Sequence, residues 1–250
     1  MTGDQELQAA LEAVRATYFD AEGASCDYAA LLASPEHGRL RASLAALEGF
    51  DFKLVRIHAQ TAFWLNAFNA GVLRDVADLT RAVSVRHVEA FFEKPRLRVA
   101  GFEYSLDDIQ HGLLRGNVPK FKSSRAPMRP DDPRLAHTPL AYDERMHFGL
   151  YSATRSSPPL RVLDAGKVDN QLEDATEHYL RREVRIEDKG ARVILPRQFY
   201  WYQRDFGDEK GALEFALSRL DEAAADMVDL RRGRVKLRYA DFDWTLNRKA

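Results

Sequence analysis

The sequence predicts a helix-rich α+β fold in a single domain with small antiparallel strands. Apolar residues recur at helical spacing over several long stretches. Two shorter stretches alternate apolar and polar residues around Ala100-Gly101 and Lys189-Gly190, which is typical of β-hairpins. The 250 residues contain no internal repeat and no low-complexity linker, and a chain of this length can bury a large core without disulfides or metals.

The N-terminal part of the chain predicts two helices. Residues 4–19 carry apolar side chains on one helical stripe. A second helix is expected to begin at Ser34-Pro35, because serine is a preferred N-cap and proline fits the first helical position. We expect these helices to form a segment, residues 1–50, that packs on a core domain of residues 51–250.

The most informative stretch is a predicted helix over residues 52–78 that is apolar almost all round, a pattern typical of a buried helix. It carries Asn66 and Asn69, which are three positions apart and so share one face. A buried amide without partners costs about 1–3 kcal/mol. The two amides therefore indicate either a structural hydrogen-bond network or the floor of a site, where they would bind a substrate amide or carboxylate.

The rest of the chain predicts shorter elements and one long loop. The loop, residues 116–142, has no periodicity and is rich in Pro, Ser and Arg; such loops are usually functional or mobile. The remaining predicted elements are, in order, a hairpin at 96–104, a helix from Ser105 to Arg115 with a capping-box-like start, a strand or buried helix at 146–151, a helix at 168–183, a hairpin at 184–195, an aromatic helix from Pro196, a helix at 209–230 and a strand at 235–239.

Composition excludes several classes of protein. The 37 Lys and Arg against 38 Asp and Glu lack the basic excess of a general nucleic-acid binder. The longest apolar stretch is interrupted by Asn66, Asn69 and Arg74, so no membrane span is predicted. Cys26 is the only cysteine, and the N-terminus does not resemble a signal peptide, so we expect a soluble cytoplasmic protein. The chain has no glycine-rich phosphate loop, and no cofactor is expected.

Four segments, in this order, resemble the family called domain of unknown function 547. They are AFWLNAFNA (62–70), SLDDIQHGLLR (105–115), HFGL (147–150) leading to SSPP (156–159), and LP (195–196) with WYQRDF (201–206). The ending DWTLN (243–247) is similar to that of bacterial members. The resemblance spans roughly residues 55–247 and implies a fold and the location of a site, but not a reaction.

The chain departs from the family pattern at positions that matter for chemistry. Many members carry glutamate where Gln110 stands, and bacterial members often carry cysteine where Ser152 and Ser157 stand. Glutamate can serve as a general base and cysteine as a nucleophile, whereas glutamine and an unactivated serine do neither readily. If the family site is enzymatic through these residues, the resemblance implies a weakened site in this chain.

The polar residues of the family-like segments are the candidate site. His111 and His147 are candidate proton carriers, since an unperturbed histidine titrates near pH 6.5, and Ser152 is the candidate nucleophile. A structural role for His111 stays open. No second histidine stands at helical or strand spacing from His147, and we expect no metal site.

The turn after Ser152 is dense in hydrogen-bond donors. It either cradles an anion or oxyanion or is simply a hydrogen-bonded turn, and both interpretations stay open. The expected substrate-binding residues are Asn66, Asn69, Gln110, Arg155, Ser156, Ser157 and Tyr202.

Two hypotheses for function follow. The first is a divergent or weakened enzyme acting on an amide- or thiol-containing small molecule or peptide, with a papain- or transglutaminase-like convergence of nucleophile, histidine and amide. The second is a binding or scaffold domain that recognises a peptide or an anionic ligand. Histidine within hydrogen-bond reach of Ser152 favours the first hypothesis, and separated side chains favour the second.

Overall fold

Helices account for 51% of the chain in the computed structural model, which describes residues 2–56, 59–79, 81–229 and 235–249. The α-helices are α1 (Gly3–Tyr18), α2 (Tyr28–Leu32), α3 (Pro35–Ala46), α4 (Gln60–Ala77), α5 (Met146–Gly149), α6 (Val168–Glu183), α7 (Arg197–Trp201), α8 (Glu209–Leu217) and α9 (Glu222–Asp229). Two small sheets accompany them, so the predicted helix-rich α+β single domain is confirmed. Within the described ranges, every helix is too short or too polar to span a bilayer.

The first sheet is the predicted hairpin of β1 (Leu97–Val99) and β2 (Phe102–Tyr104). Its turn residues Ala100 and Gly101 both have positive φ, 51° and 80°, as a tight two-residue hairpin turn requires. The hairpin prediction is confirmed. The sequence could predict it because the residues that form the turn are adjacent in the chain.

The second sheet has three strands: β3 (Arg185–Glu187), β4 (Arg192–Leu195) and β5 (Lys236–Tyr239). β3 and β4 form the predicted antiparallel hairpin. β5 pairs parallel to β4, a pairing that the predicted antiparallel strands did not include. Parallel neighbours need a long crossover connection, and here the chain between them carries α7, α8 and α9.

α4 is the centre of the larger hydrophobic core. It begins at Gln60 rather than at residue 52, because residues 52–54 form a separate 3₁₀ turn that Asp51 caps by accepting from the Lys53 amide at 3.0 Å. Residues 57 and 58 of the predicted helix lie outside the described residues. Every residue from Ala62 to Leu73 is buried, so the prediction of a buried helix is confirmed.

The N-terminal helices pack directly against α4. Ser34 caps α3 by accepting from the His37 amide at 3.2 Å, as predicted. The buried residues of α1 and α3, including Leu11 and Leu40, belong to the same core as those of α4. The division of the chain at residue 50 stays a prediction.

α5 lies between two hydrophobic cores. Its Met146 belongs to the core around α4, whereas Phe148 belongs to a second core built by α6, α7, α8 and the three-stranded sheet. The stretch expected to be a strand or a buried helix is therefore a short buried helix. Because Met146 and Phe148 point into different cores, His147 between them lies at the junction of the two.

The segment after β2 begins as predicted and then widens. Ser105 Oγ accepts from the Asp108 amide and Asp108 Oδ2 accepts from the Ser105 amide, both at 2.9 Å, which forms a capping box. From Asp108 to Leu114 the helix is a π-helix. Single π-turns are frequent at functional sites, and this one carries Gln110 and His111.

Two further segments differ in detail from their predictions. The expected helix at 209–230 is two helices, α8 and α9, because Asp221 Oδ1 accepts from the Ala224 amide at 2.8 Å and starts a new helix. Leu230 lies outside the described residues. The long loop, residues 116–142, is tied down by Asn117, whose side chain exchanges two hydrogen bonds of 3.0 Å with the Met128 main chain.

Candidate functional site

A cavity of about 350 Å³ opens where the π-helix, the long loop, α5 and α7 meet the C-terminal segment. Its walls are largely aromatic, and the candidate residues on them come from distant parts of the sequence. The candidates that line the cavity are Gln110, His111, His147, Ser152 and Tyr202. Those that do not line it are Asn66, Asn69, Arg155, Ser156 and Ser157.

The two asparagines of α4 hold main chain rather than a ligand. Asn66 exchanges two hydrogen bonds with Leu163, through Nδ2 to the carbonyl at 2.8 Å and Oδ1 from the amide at 2.9 Å. Asn69 Nδ2 donates to the carbonyls of Gly149 and Arg161, and its Oδ1 accepts from the Tyr151 amide at 2.9 Å.

Both asparagines are buried, 4% and 0% exposed. Of the two alternatives for Asn66 and Asn69, this geometry supports the structural network. The expectation that they bind substrate does not fit, because their hydrogen-bonding groups are occupied and neither residue lines the cavity.

The turn after Ser152 is closed by its own hydroxyls and by the C-terminal segment. Ser157 Oγ accepts from the Ser152 amide at 2.9 Å and donates to the Pro158 carbonyl at 2.8 Å. Ser156 Oγ accepts from the Asp243 amide at 2.9 Å. Arg155 is exposed. The expected binding role of Arg155, Ser156 and Ser157 therefore does not fit the cavity; of the two interpretations of this segment, the hydrogen-bonded turn describes it.

Ser152 itself lies in the cavity wall, and no base among the described residues bonds to its hydroxyl. Its Oγ is 3.1 Å from Thr154 Oγ1, and within the described chain it makes no hydrogen bond to His111 or His147. The next residue, Ala153, has φ 58° and is fully buried. A left-handed alanine costs about 1–2 kcal/mol, so the surrounding packing holds the main chain here in a strained form.

A buried charged network lies behind the cavity. Arg115 donates to Asp205 through Nε to Oδ2 at 2.6 Å and Nη2 to Oδ1 at 2.7 Å. His147 Nε2 is 2.7 Å from Asp205 Oδ2, and Arg115 Nη1 is 3.0 Å from His111 Nδ1. The side chains of Arg115 and Asp205 are only 2% and 5% exposed. The network therefore fixes both candidate histidines.

The pKa shifts in this network follow from burial and from these contacts. Burial by itself would raise the pKa of Asp205, but the hydrogen bonds from His147 and Arg115 outweigh it and hold that pKa well below its usual range. Burial lowers the pKa of both histidines, and the Arg115 charge lowers that of His111 further. Both rings are therefore neutral at pH 7, and Asp205 is a carboxylate.

Tyr202 connects this network to the π-helix. Its ring stacks on His147 with centroids 4.1 Å apart and planes 9° from parallel. Its hydroxyl accepts from Gln110 Nε2 at 2.9 Å. Burial raises the pKa of Tyr202 to about 12, so the hydroxyl keeps its proton at neutral pH.

Several residues of the site were not among the predicted ones. Arg115 and Asp107 stand four positions on either side of His111, a helical spacing that could have identified them. Lys120 and Glu93 line the cavity mouth, and Gln198 lines its wall. No pattern in the sequence identifies Gln198, because its position depends on how α7 packs. Nowhere in the described chain do three or more His, Cys, Asp or Glu side chains form a group able to hold a metal ion.

A family model described as "Protein of unknown function, DUF547" matches residues 53–180, slightly more than half of the chain. The chain belongs to this family. The predicted resemblance is confirmed, and the match contains the first three family-like segments. It covers the DUF547 positions of Gln110, His111, His147 and Ser152, whereas Tyr202 lies beyond it. No curated protein and no solved structure matches the chain.

Proposed function

We propose that this DUF547 protein binds an amide-bearing small molecule or peptide in its cavity and does not turn it over efficiently. The observation that carries the proposal is the environment of Ser152. Its hydroxyl lies on the wall of an aromatic cavity and is bonded to Thr154, and among the described residues no histidine bonds to it. A serine hydroxyl needs an adjacent base to act as a nucleophile, so the site is equipped for binding rather than acyl transfer.

The walls suit a ligand with an apolar part. The cavity is lined by the aromatic side chains of Phe68, Phe92, Trp201, Phe242 and Trp244. Ligand pockets typically combine such apolar walls with a few polar groups that fix orientation, and a volume of about 350 Å³ is in the range of small-molecule sites.

An amide group in the ligand is favoured by Gln110. Its Nε2 donates to Tyr202, while its Oε1 has no hydrogen-bond partner among the described residues. The carboxamide is partly exposed at the cavity wall. A carboxamide carbonyl held in one orientation accepts an N–H from a ligand amide.

An anionic ligand, the other option for a binding domain, is less favoured. Arg155 is exposed and does not line the cavity. Lys120 is the cation at the cavity mouth, and it already contacts both Asp107 and Glu93.

A weakened enzyme is the second candidate, and one observation favours it. His147 donates to the Asp205 carboxylate, the geometry in which a carboxylate orients a histidine as a general base. In this alternative the DUF547 chemistry has been reduced here by Gln110 and Ser152, which gives a pseudoenzyme.

The compartment we propose is the cytoplasm. The chain has a single cysteine, Cys26, which is buried and free, so no intrachain disulfide forms. Its near-zero net charge accords with a small-molecule or peptide ligand rather than nucleic acid.

Titration with N-acetylphenylalaninamide and short peptide amides tests the binding function. Trp201 and Trp244 line the cavity, so their fluorescence should change on binding. Ser152→Phe fills part of the cavity and should abolish the change, whereas Ser123→Phe on the exposed loop is the matched control. Mass spectrometry of the recovered probes should show no product. Equal binding by both variants would contradict a site in this cavity.

A further inference from the structure

The first observation is an unpaired acceptor on Gln198. The Tyr179 hydroxyl donates its hydrogen to the Ser156 carbonyl at 2.9 Å, so it can only accept from Gln198, whose Nε2 lies 2.8 Å away. This orientation leaves Gln198 Oε1 as a buried acceptor, and no described residue donates to it. Gln198 is 5% exposed and lines the cavity.

The second observation is an unpaired acceptor on His147. Asp205 is a carboxylate and can only accept, so His147 Nε2 carries the proton between them. In the neutral ring Nδ1 is then a lone-pair acceptor, and within the described chain it has no partner. His147 is 3% exposed and also lines the cavity. Such unpaired acceptors are uncommon, because most buried polar groups are hydrogen-bonded, and here two of them belong to residues that line one cavity.

The third observation is the charge at the cavity mouth. The cavity-lining side chains that carry charge are Glu93, Asp107 and Lys120, because both lining histidines are neutral. Two carboxylates against one ammonium leave a net negative site. Lys120 Nζ contacts Asp107 Oδ2 and lies 3.1 Å from Glu93 Oε1, and its side chain is 39% exposed. A lysine with this exposure can swing into solvent, which frees both carboxylates.

The fourth observation is the aromatic surround of this mouth. Phe92 and Phe121 flank Glu93 and Lys120 in sequence, and both rings line the cavity together with Trp201. Aromatic faces beside carboxylates attract organic cations, since the ring quadrupole adds to the charge interaction.

We propose that the ligand carries a primary ammonium group that binds Asp107 and Glu93 in place of Lys120, so that Lys120 is an internal competitor of the ligand. The proposal rests on the proposed binding function and specifies its ligand: an amine attached to an amide-bearing, partly apolar body. Lys120 occupies the ammonium position in this structure, which keeps the two carboxylates paired.

Three probes on one scaffold test this directly. Phenylacetylputrescine has an aromatic ring, an amide and a primary ammonium; its N-acetyl derivative is neutral and its N-succinyl derivative is anionic. Each is titrated by calorimetry at pH 7 into the wild type, Lys120→Gln and Glu93→Gln. Lys53→Gln removes the same charge from an exposed position that does not line the cavity and is the matched control.

The expected result is a charge-specific gain. Lys120→Gln should bind the ammonium probe about tenfold more tightly and leave the N-acetyl probe nearly unchanged, because the two carboxylates lose their internal partner. Glu93→Gln should weaken the ammonium probe by about threefold. Lys53→Gln should match the wild type.

The failures of the two proposals are distinguishable. Binding of the N-acetyl probe with no preference for the ammonium probe, in the wild type and in Lys120→Gln, would overturn the ammonium site and leave the binding function standing. Tighter binding of the succinyl probe, or weaker ammonium binding in Lys120→Gln, would make Lys120 a ligand-binding cation and also overturn it. Absence of binding by all three probes to every variant would remove both proposals.

Discussion

His147 and Asp205 are joined by a buried hydrogen bond of 2.7 Å between Nε2 and Oδ2, although 58 residues separate them in the sequence. His147 comes from α5 and Asp205 from the 3₁₀ turn after α7. This contact connects the part of the chain matched by the family model to the part beyond it. It also determines which nitrogen of His147 carries the proton, because the Asp205 carboxylate can only accept.

Removing the carboxylate should destabilise the fold strongly. Asp205→Asn leaves the buried Arg115 guanidinium without its anionic partner and weakens the contact with His147. Breaking one side of a buried ion pair typically costs about 3–5 kcal/mol. Urea unfolding measures the change. Asp131→Asn, which breaks the exposed pair with Arg129, should cost under about 1 kcal/mol; equal losses from the two substitutions would contradict the role given to burial.

Stability should fall as the solution is acidified below neutral pH. The folded-state pKa of His111 and of His147 is lowered from the ordinary 6.5, so below that pH the unfolded chain binds more protons. The stabilisation is fully present above pH 6.5 and is lost as the pH falls below it, by up to about 1.4 kcal/mol per pH unit for each group.

Unfolding free energies measured from pH 7.5 to 5 check this pH dependence. The variant His111→Gln removes one of the two titrating histidines. The slope should be shallower in His111→Gln and unchanged in His87→Gln, which alters an exposed histidine. A wild-type protein whose stability is constant or rises over this range would show that the histidines are not held neutral by burial.

Asn66→Ala should cost about 1–3 kcal/mol, because it leaves the amide and carbonyl of Leu163 unpaired in the core. Urea unfolding gives the energy, and hydrogen exchange gives the location: the Leu163 amide should exchange faster than in the wild type. Gln8→Ala removes an amide from an exposed hydrogen bond to Glu12 and should have little effect. Unchanged exchange at Leu163 would contradict the hydrogen bond.

The double substitution Gln110→Glu with Ser152→Cys tests the enzyme alternative. If the family site is enzymatic through these positions, the pair should create thiol-dependent turnover or labelling by a broad electrophile set, read out by mass. Cys26 is an internal control, since it is fully buried and burial raises its pKa, so it should stay unlabelled in the folded protein.

Two results of that experiment would change the interpretation. Strong labelling of the wild type at Ser152 would reveal an intact serine nucleophile and contradict the weakened site. A folded double variant that is neither labelled nor active would leave the binding function as the sole candidate. The single variant Ser152→Cys is the reference for the reactivity of the introduced thiol.

Local features were predictable because their physical cause lies within a few residues. The hairpin at Ala100-Gly101 requires positive φ in its turn, and the helix after Ser105 requires a hydroxyl and a carboxylate three residues apart. The burial of α4 follows from its all-round apolar composition. The start of α4 was not predictable from periodicity, because the cap at Asp51 begins a separate 3₁₀ turn before it.

The site was predictable only in part. The family-like segments identified Gln110, His111, His147, Ser152 and Tyr202, all of which line one cavity. The same argument wrongly placed Asn66 in that site. The sequence shows that an amide lies on a buried face, but it does not show whether the amide bonds to main chain or to a ligand.

The sequence by itself determined the helix-rich α+β class, the hairpins, the caps and the identity of the family, all of which depend on residue type and short-range spacing. Only the tertiary structure decided that Asn66 bonds to main chain, that β5 joins β4 in parallel, and that Gln198 faces Tyr179. The physical reason is that a hydrogen bond between distant residues depends on how whole elements pack. Packing is set by the sum of many weak contacts. Only the folded structure therefore shows which polar groups pair with one another and which remain on the cavity wall.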